Sequence, residues 1–256
     1  MLAGWVVLQR RTAQPLVRPA MLTDRRTLVP TIAGLMTGIA LFASFLAVLQ
    51  YVQTPPEIAG YGFGASVLEA SVVYLLPGGI AGILVAPVAG TVVTRVGALP
   101  TLLAGAASGV VGFLLLAFLR GEPWQVVLAG LLTQLSVTVA YAALPALVVQ
   151  AVHEDETGVA NAVNSIARSV GQALGSTVAV TLIAATLDPA TGYPSASAFT
   201  GVGLVGALAT LAVLAVAALG MVADRRGGGP RRAGPLTGVE EATARAGEWS
   251  PVSGIR

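Results

Sequence analysis

The sequence predicts an all-helical integral membrane protein with six transmembrane helices. Of its 256 residues, 55% are hydrophobic and only 10% are charged, whereas a soluble domain has about 25% charged residues. The mean hydropathy of +0.82 agrees with this composition. The apolar residues form six long runs, and a helix of about 20 apolar residues crosses the hydrocarbon of a bilayer. None of the runs alternates as a membrane β-barrel strand does, so we expect helices.

Residues 1–27, which precede the first run, are predicted to be a cytoplasmic stub or linker. An apolar stretch at residues 2–8 is too short to span a membrane, and Arg10 and Arg11 follow it. A signal peptide has the reverse order, with its positive charges before its apolar stretch. We therefore expect this segment to connect to a preceding part of the protein, so that the chain is a C-terminal fragment of a longer one.

The six apolar runs predict spans 1 to 6 of one bundle, at residues 28–222. Their predicted bounds are 28–52, 67–93, 99–119, 124–152, 158–187 and 199–222. Prolines inside the runs, such as Pro87 and Pro145, would damage a soluble helix but are common in membrane-spanning ones. Residues 53–66 contain Pro55, Pro56 and several glycines, which indicates a structured loop. Residues 223–256 are rich in Gly, Pro, Arg and Glu, and we expect a disordered cytoplasmic tail there.

The distribution of arginines predicts the orientation of the bundle. Five arginines precede span 1, one lies between spans 2 and 3, and six follow span 6. Of the other two, Arg120 lies on the opposite side and Arg168 lies inside span 5. Because cytoplasmic loops carry the excess of positive residues, both termini are predicted to be cytoplasmic. The protein is then a multi-pass protein of the cell membrane, that is, of the inner or plasma membrane.

Span 5 carries a stripe of polar residues that predicts the wall of a substrate cavity. The stripe consists of Asn161, Asn164, Arg168 and Gln172, whose spacing of three and four puts them on one helix face. Gln134 and Gln50 on other spans are added as candidate lining residues. Arg168 lies about 15 Å along the helix from Gly158, and a charge at that depth suggests a function. The alternative is that Arg168 snorkels to the cytoplasmic surface.

Three further residues in the spans have predicted roles. Gly171 and Gly175 form a small-xxx-small pair, which lets another helix pack closely. Glu69 is the only carboxylate inside a predicted span, and membrane carboxylates are the usual proton carriers in pumps. Glu69 is therefore a candidate proton-linked residue. Its position two residues from the outer end of span 2 allows the alternative that it stays hydrated at the membrane surface.

Several classes of function find no support in the sequence. The chain has no cysteine and a single histidine, His153, which is too few for a metal cluster. Nucleophile elbows, phosphate-binding loops and zinc-protease motifs are also absent. The basic tail lacks interleaved aromatic residues, which argues against nucleic-acid binding. We therefore expect no enzymatic activity, no metal, no cofactor and no nucleic-acid partner.

Three stretches together carry a family resemblance. The segment between spans 2 and 3 reads GTVVTRVG, from Gly90 to Gly97, and the stretches PGGIAGILVAPVAG and ETGVANAVNSIARSVGQALG lie before and after it. Over residues 10–222 the chain resembles the second half of a major facilitator superfamily transporter, and most of all the fourteen-span drug/proton antiporter branch. Family members carry a cytoplasmic turn of the form G-x-x-x-D-R-x-G. Gly90, Arg95 and Gly97 match it, and Thr94 stands at the acidic position.

The resemblance implies a fold, a function and partners. The six spans would form one half of the transporter, as an inverted repeat of three plus three spans. Spans 1, 2, 4 and 5 would line the cavity, while spans 3 and 6 would face lipid. The implied function is proton-coupled efflux of hydrophobic or cationic small molecules. The partners would be that substrate, protons driven by the proton-motive force, the lipid bilayer and the missing N-terminal half.

Two other functions fit the same six spans. The first is a membrane scaffold or regulatory subunit with no transport activity of its own. The second is a six-span permease that dimerises, although the sequence contains no segment that would couple such a permease to an energy source.

Overall fold

The computed structural model describes residues 25–152 and 156–226, and six long helices make up most of these described residues. Spans 1 to 6 are the helices Arg25–Gln53, Val67–Val96, Ala98–Phe118, Pro123–Ala151, Thr157–Ala185 and Ala196–Arg226. All six are long and apolar enough to cross a membrane. Within the described residues, the β structure amounts to one isolated bridge, between Leu187 and Pro194. The all-helical, six-span fold predicted from the sequence is therefore confirmed.

The bundle has two ends, which we name by their connections. The cap end carries the connections 54–66, 119–122 and 186–195, and the tail end carries Gly97, Val152 and Glu156. The cap end is the predicted outer end of the protein. Most of the predicted stub and tail lies outside the described residues, as does His153.

Span 2 contains an irregularity that the sequence did not predict. Its first turn, Val67–Glu69, is α-helical, and the Ser66 hydroxyl caps it by accepting from the Glu69 backbone N–H at 3.2 Å. Residues Ala70–Leu75 then form a π-helix before the α-helix resumes at Leu76. The wide turns directly precede Pro77, whose ring would clash with the carbonyl four residues back in a regular α-helix. We attribute the π-helix to this proline.

The connection between spans 2 and 3 is shorter than the sequence predicts. Span 2 runs on to Val96, so Gly97 alone joins it to span 3. Gly97 has a φ of 107°, which side-chain-bearing residues rarely adopt. Gly90 and Arg95 lie in the last two turns of the helix instead of in a turn. Gly90 therefore lies inside the helix, which continues to Val96, and Gly97 alone stands in the turn.

The loop at residues 54–66 is ordered, as its prolines and glycines predict. It contains a short helix, Pro56–Ala59, and its ends are tied by backbone bonds from Gly64 to Thr54 and from Ala65 to Val52, each 2.9 Å long. Gly62 has a φ of 89°, and a Cβ there would overlap the Thr54 carbonyl oxygen. This loop closes over the cap end of spans 1 and 2.

The spans are buried to very different extents. In the apolar stretches of spans 2 and 5, 22% and 17% of the residues are buried, against 44–50% in the other four spans. The core is built from spans 1, 3, 4 and 6, and its largest fully buried side chains include Phe113, Phe199, Leu102 and Leu144. Span 5 packs mainly on span 1, and span 2 mainly on span 4. Spans 2 and 5 therefore keep one face each in contact with the bundle and leave the other face open.

Candidate functional site

Glycines bring the backbones of spans 1 and 5 into direct contact. A Cβ at Gly175 would lie 2.5 Å from the Ile39 carbonyl oxygen, and one at Gly171 would overlap the carbonyl oxygen of Leu35. On span 1, a Cβ at Gly38 would overlap the Arg168 carbonyl oxygen. Such contacts fix the height and rotation of span 5 against span 1, because a larger residue would push the helices apart. The packing role predicted for Gly171 and Gly175 agrees with this geometry.

Asn164 lies inside this helix interface and not on a cavity wall. Its side chain is 3% exposed, and its Nδ2 donates to the Pro30 carbonyl oxygen on span 1 at 2.6 Å. It also lies against Gly34, where a Cβ would come within 2.9 Å of the amide nitrogen. The interpretation of Asn164 as a cavity residue is therefore wrong. Four residues turn a helix by about 400°, so Asn164 and Arg168 differ by about 40° and face different neighbours.

Arg168 and Gln172 converge on Tyr141 of span 4. The Arg168 guanidinium carbon lies 4.6 Å from the centroid of the Tyr141 ring. Gln172 Nε2 donates to the Tyr141 hydroxyl at 3.3 Å, and Arg168 Nη2 donates to the Ser165 hydroxyl at 3.2 Å. Tyr141 remains 37% exposed. We name these four residues the Arg168 cluster, and they are the candidate functional site.

The Arg168 cluster lies near mid-depth and carries a positive charge. Arg168 is about 16 Å along span 5 from Thr157, close to the middle of this 29-residue helix. The carboxylates whose side chains the structure describes all lie near the ends of the spans: Glu57, Glu69, Glu122 and Asp188 at the cap end and Glu156 at the tail end. The contacts of Arg168 are instead with a hydroxyl and an aromatic ring. The cluster thus offers hydrogen-bond donors and a cation, without a carboxylate for acid–base chemistry.

The other predicted lining residues lie apart from the Arg168 cluster. Asn161 donates to the Thr157 carbonyl oxygen of its own helix at 3.2 Å. Gln134 packs between spans 2 and 4, where its Cβ is 3.3 Å from a Cβ built on Gly78. Gln50 is exposed near the cap end of span 1. The predicted lining residues therefore do not form a single group.

Glu69 and Arg95 lie at opposite ends of span 2. Glu69 is exposed in the first turn at the cap end, directly after the helix cap Ser66. Arg95 is exposed in the last turn at the tail end. Both positions are open to the surroundings of the bundle, and neither residue joins the Arg168 cluster.

Arg120 connects three spans at the cap end, a role that the sequence did not reveal. Its guanidinium donates to the carbonyl oxygens of Leu116 and Ala117 at the end of span 3. It also donates to the Ala196 carbonyl oxygen at 2.6 Å and the Thr200 hydroxyl at 2.8 Å, both in span 6. The Arg120 carbonyl oxygen accepts from the Tyr51 hydroxyl of span 1 at 2.8 Å. Burial lowers the pKa of Arg120, and the neighbouring Tyr51 opposes that shift.

Aromatic rings surround Arg120 at the cap end. Tyr51 packs against Tyr61, Phe63 and Phe199, with ring centroids 5.3–5.7 Å apart. The Tyr61 hydroxyl donates to the Pro194 carbonyl oxygen, which joins the loop 54–66 to the connection 186–195. Burial raises the pKa of Tyr61 above its ordinary value of 10.0. We name Arg120 and these four aromatic residues the cap cluster.

Comparisons with known proteins agree with the predicted membrane fold. A family model described as Major Facilitator Superfamily matches residues 5–176. Two curated relatives, both named Multidrug resistance protein Stp, come from Mycobacterium tuberculosis strains CDC 1551 / Oshkosh and ATCC 25618 / H37Rv. Each is 27% identical over 192 residues, which cover 73% of this chain and 34% of the relative. The chain thus spans about a third of the length of the curated relatives it matches.

Proposed function

Because the chain belongs to the major facilitator superfamily, we propose that it forms one half of a proton-coupled exporter of small molecules. The curated relatives are named for multidrug resistance. Their name supports export as the direction of transport and small molecules as the substrates. Of the two substrate classes implied by the resemblance, hydrophobic and cationic, the hydrophobic class fits the Arg168 cluster better. A cationic substrate would meet a like charge there and would need a carboxylate from residues beyond those described.

The observation that carries the proposal is a charged, hydrogen-bonding cluster at mid-depth in otherwise apolar spans. Charged residues inside membrane spans are costly, and they usually face a cavity or a pathway. In transporters of this type, the substrate site lies near the membrane midplane between two repeated units. The position of Arg168, about 16 Å along its helix, fits such a site.

The open faces of spans 2 and 5 support the proposed second half. Exposed apolar residues on span 2 include Ile83 and Leu84, at 76% and 67%, and those on span 5 include Ile166 at 63%. In the proposal, the N-terminal half of the transporter covers these faces and completes the cavity. Both termini are then cytoplasmic in the cell membrane, and the cap end faces outward.

Proton coupling requires a group that binds and releases a proton within the membrane. A carboxylate is the usual proton carrier inside a membrane, and the described spans offer Glu69, which is exposed at the cap end of span 2. We propose that Glu69 or a carboxylate of the other half exchanges the proton.

Reconstitution into proteoliposomes tests the function. We expect the full-length protein to export the neutral hydrophobic dye Nile red when a pH gradient is imposed, and to stop when the gradient is collapsed. Residues 1–256 alone should export nothing, because half of the cavity wall is missing. Export by residues 1–256 alone would contradict the two-half proposal. Gradient-independent export would contradict proton coupling, and an inert full-length protein would favour the scaffold.

A further inference from the structure

We infer that the Arg168 cluster binds the acidic group of an amphiphilic organic anion. This inference names a substrate class for the proposed cavity, and it therefore rests on the proposed function. Arg168 has unused donors, its charge lacks a counter-charge among the described residues, and an apolar surface lies beside the cluster.

The Arg168 guanidinium has more donors than its neighbours accept. A guanidinium carries five N–H donors in a planar fork, and the structure pairs one of its nitrogens with the Ser165 hydroxyl at 3.2 Å. Tyr141 contacts the guanidinium through its ring, 4.6 Å away at the centroid, so it accepts no further N–H bond there. The fork geometry matches a carboxylate or sulfonate, which accepts two parallel bonds.

The charge of Arg168 lacks a counter-charge in the described part of the chain. A positive charge within a membrane span is costly, and a single cation–π contact offsets only a small part of that cost. Glu156, the carboxylate closest to Arg168 in the sequence, is twelve positions away, or about 18 Å along the helix. A bound anion would supply the missing charge at the depth where the guanidinium lies.

The exposed face of span 5 is amphiphilic beside the cluster. Ser169 and Ser176 continue the polar line from Ser165, and their hydroxyls donate to carbonyl oxygens of their own helix. Ile166 and Val170, which are 63% and 48% exposed, lie beside this line. A ligand with an acidic head and an apolar body matches this surface better than a small inorganic anion does.

Two matched probes test the inference. The dyes 8-anilinonaphthalene-1-sulfonate and N-phenyl-1-naphthylamine share one ring system, but only the first carries a sulfonate. We expect the full-length protein in lipid nanodiscs to bind the sulfonate dye more tightly than the neutral dye. Arg168→Gln should weaken sulfonate binding about tenfold, the loss of roughly one charged hydrogen-bonded contact. The affinity of Arg168→Gln for the neutral dye should differ from that of the wild type by less than about twofold.

Two further variants sharpen the result. Arg168→Lys should give intermediate sulfonate affinity, because lysine keeps the charge and loses the planar fork; it also keeps the test valid if Arg168→Gln fails to fold. Arg95→Gln is the matched control, since it removes the same charge from an exposed position at the tail end. We expect Arg95→Gln to leave the binding of both dyes unchanged.

Three outcomes would overturn the inference. Equal loss of both dyes in Arg168→Gln would indicate a structural role, and unchanged binding would indicate no site. A gain in sulfonate affinity in Arg168→Gln would mean that a carboxylate of the other half already pairs with Arg168. Binding is measured without a gradient, so a protein that fails to export Nile red can still pass this test. A protein that exports the dye can likewise fail it.

Discussion

At the residue scale, Tyr141 of span 4 contacts both Arg168 and Gln172 of the polar stripe on span 5. The spacing of Asn161, Asn164, Arg168 and Gln172 predicts which residues share a face of span 5. It does not tell which neighbouring span that face meets. The structure divides the stripe, with Asn164 bonded to Pro30 of span 1 and Arg168 lying on Tyr141 of span 4. A cation–π partner 27 positions away leaves no periodic signal in the sequence. The contact between Arg168 and Tyr141 could therefore be found only from the structure.

At the residue scale, the Tyr61 hydroxyl predicts a loss of stability in alkaline solution. Burial raises the pKa of Tyr61, so the folded state favours the neutral phenol that donates to Pro194. This contribution is fully present below the ordinary pKa of 10.0. It is lost as the pH rises through the higher pKa of the folded state, because only the neutral form can donate.

Thermal unfolding of the wild type and Tyr61→Phe between pH 7 and pH 11 checks this expectation. At pH 7, Tyr61→Phe should be less stable by about 1 kcal/mol, the usual contribution of one hydrogen bond. The difference between the two proteins should shrink above pH 10. A difference that stays constant to pH 11 would show that the hydroxyl does not titrate in this way.

At the element scale, apolar run length predicts where helices lie but not how regular they are. The predicted bounds of the six spans fall within a few residues of the observed ones, since a long apolar run can satisfy its backbone in lipid only as a helix. The π-helix Ala70–Leu75 adds residues to a turn without changing the apolar composition, so composition could not reveal it. The sequence also did not show that span 2 runs past its predicted end at residue 93 to Val96.

Glycine substitutions distinguish glycines that are needed for close helix packing from glycines that are merely tolerated on an open helix face. Gly171→Ala and Gly175→Ala should each destabilise the bundle by about 1–3 kcal/mol, the range for overpacking, because a methyl group would meet the backbone of span 1. The matched controls are Gly79→Ala and Gly90→Ala in span 2, where nothing lies within 4 Å of the new Cβ. These should be neutral or stabilising, since alanine favours the helix.

Unfolding of each glycine variant in detergent or bilayers measures the effect. Span 5 should be lost from the bundle first in the Gly171 and Gly175 variants. Equal stability of the span 5 variants and the span 2 controls would mean that the two helices can separate at no cost.

At the scale of the whole molecule, the sequence predicts the number of spans, the fold class and the family. The match to the Major Facilitator Superfamily over residues 5–176 confirms the family. The cap cluster could not be predicted from the sequence, because Tyr51 and Thr200 lie 69 and 80 positions from Arg120. The sequence marked Arg120 only as the one arginine on the opposite side. Its role depends on three connections meeting at one end of the bundle.

Cysteine labelling tests the predicted orientation of the whole chain, and the absence of native cysteine makes the readout clean. Ala59→Cys, Gly121→Cys and Ala190→Cys at the cap end should react with a membrane-impermeant maleimide added to intact cells. Thr94→Cys at the tail end should not, nor should Thr23→Cys or Ser250→Cys beyond the described residues. Labelling of Thr94→Cys in intact cells would reverse the assignment of both ends.

The contacts of Arg120 also form in a fixed order during synthesis of the protein. Its bonding partners in span 6 are 76 and 80 positions further along the chain, so at about 5–20 residues per second the ribosome needs roughly 4 to 15 seconds to make them. During that interval the nascent arginine has only its own helix and Tyr51 to bond. Arrival of the sixth helix supplies the last two acceptors of the Arg120 guanidinium. Synthesis that stops before Ala196 would leave this guanidinium without those two acceptors.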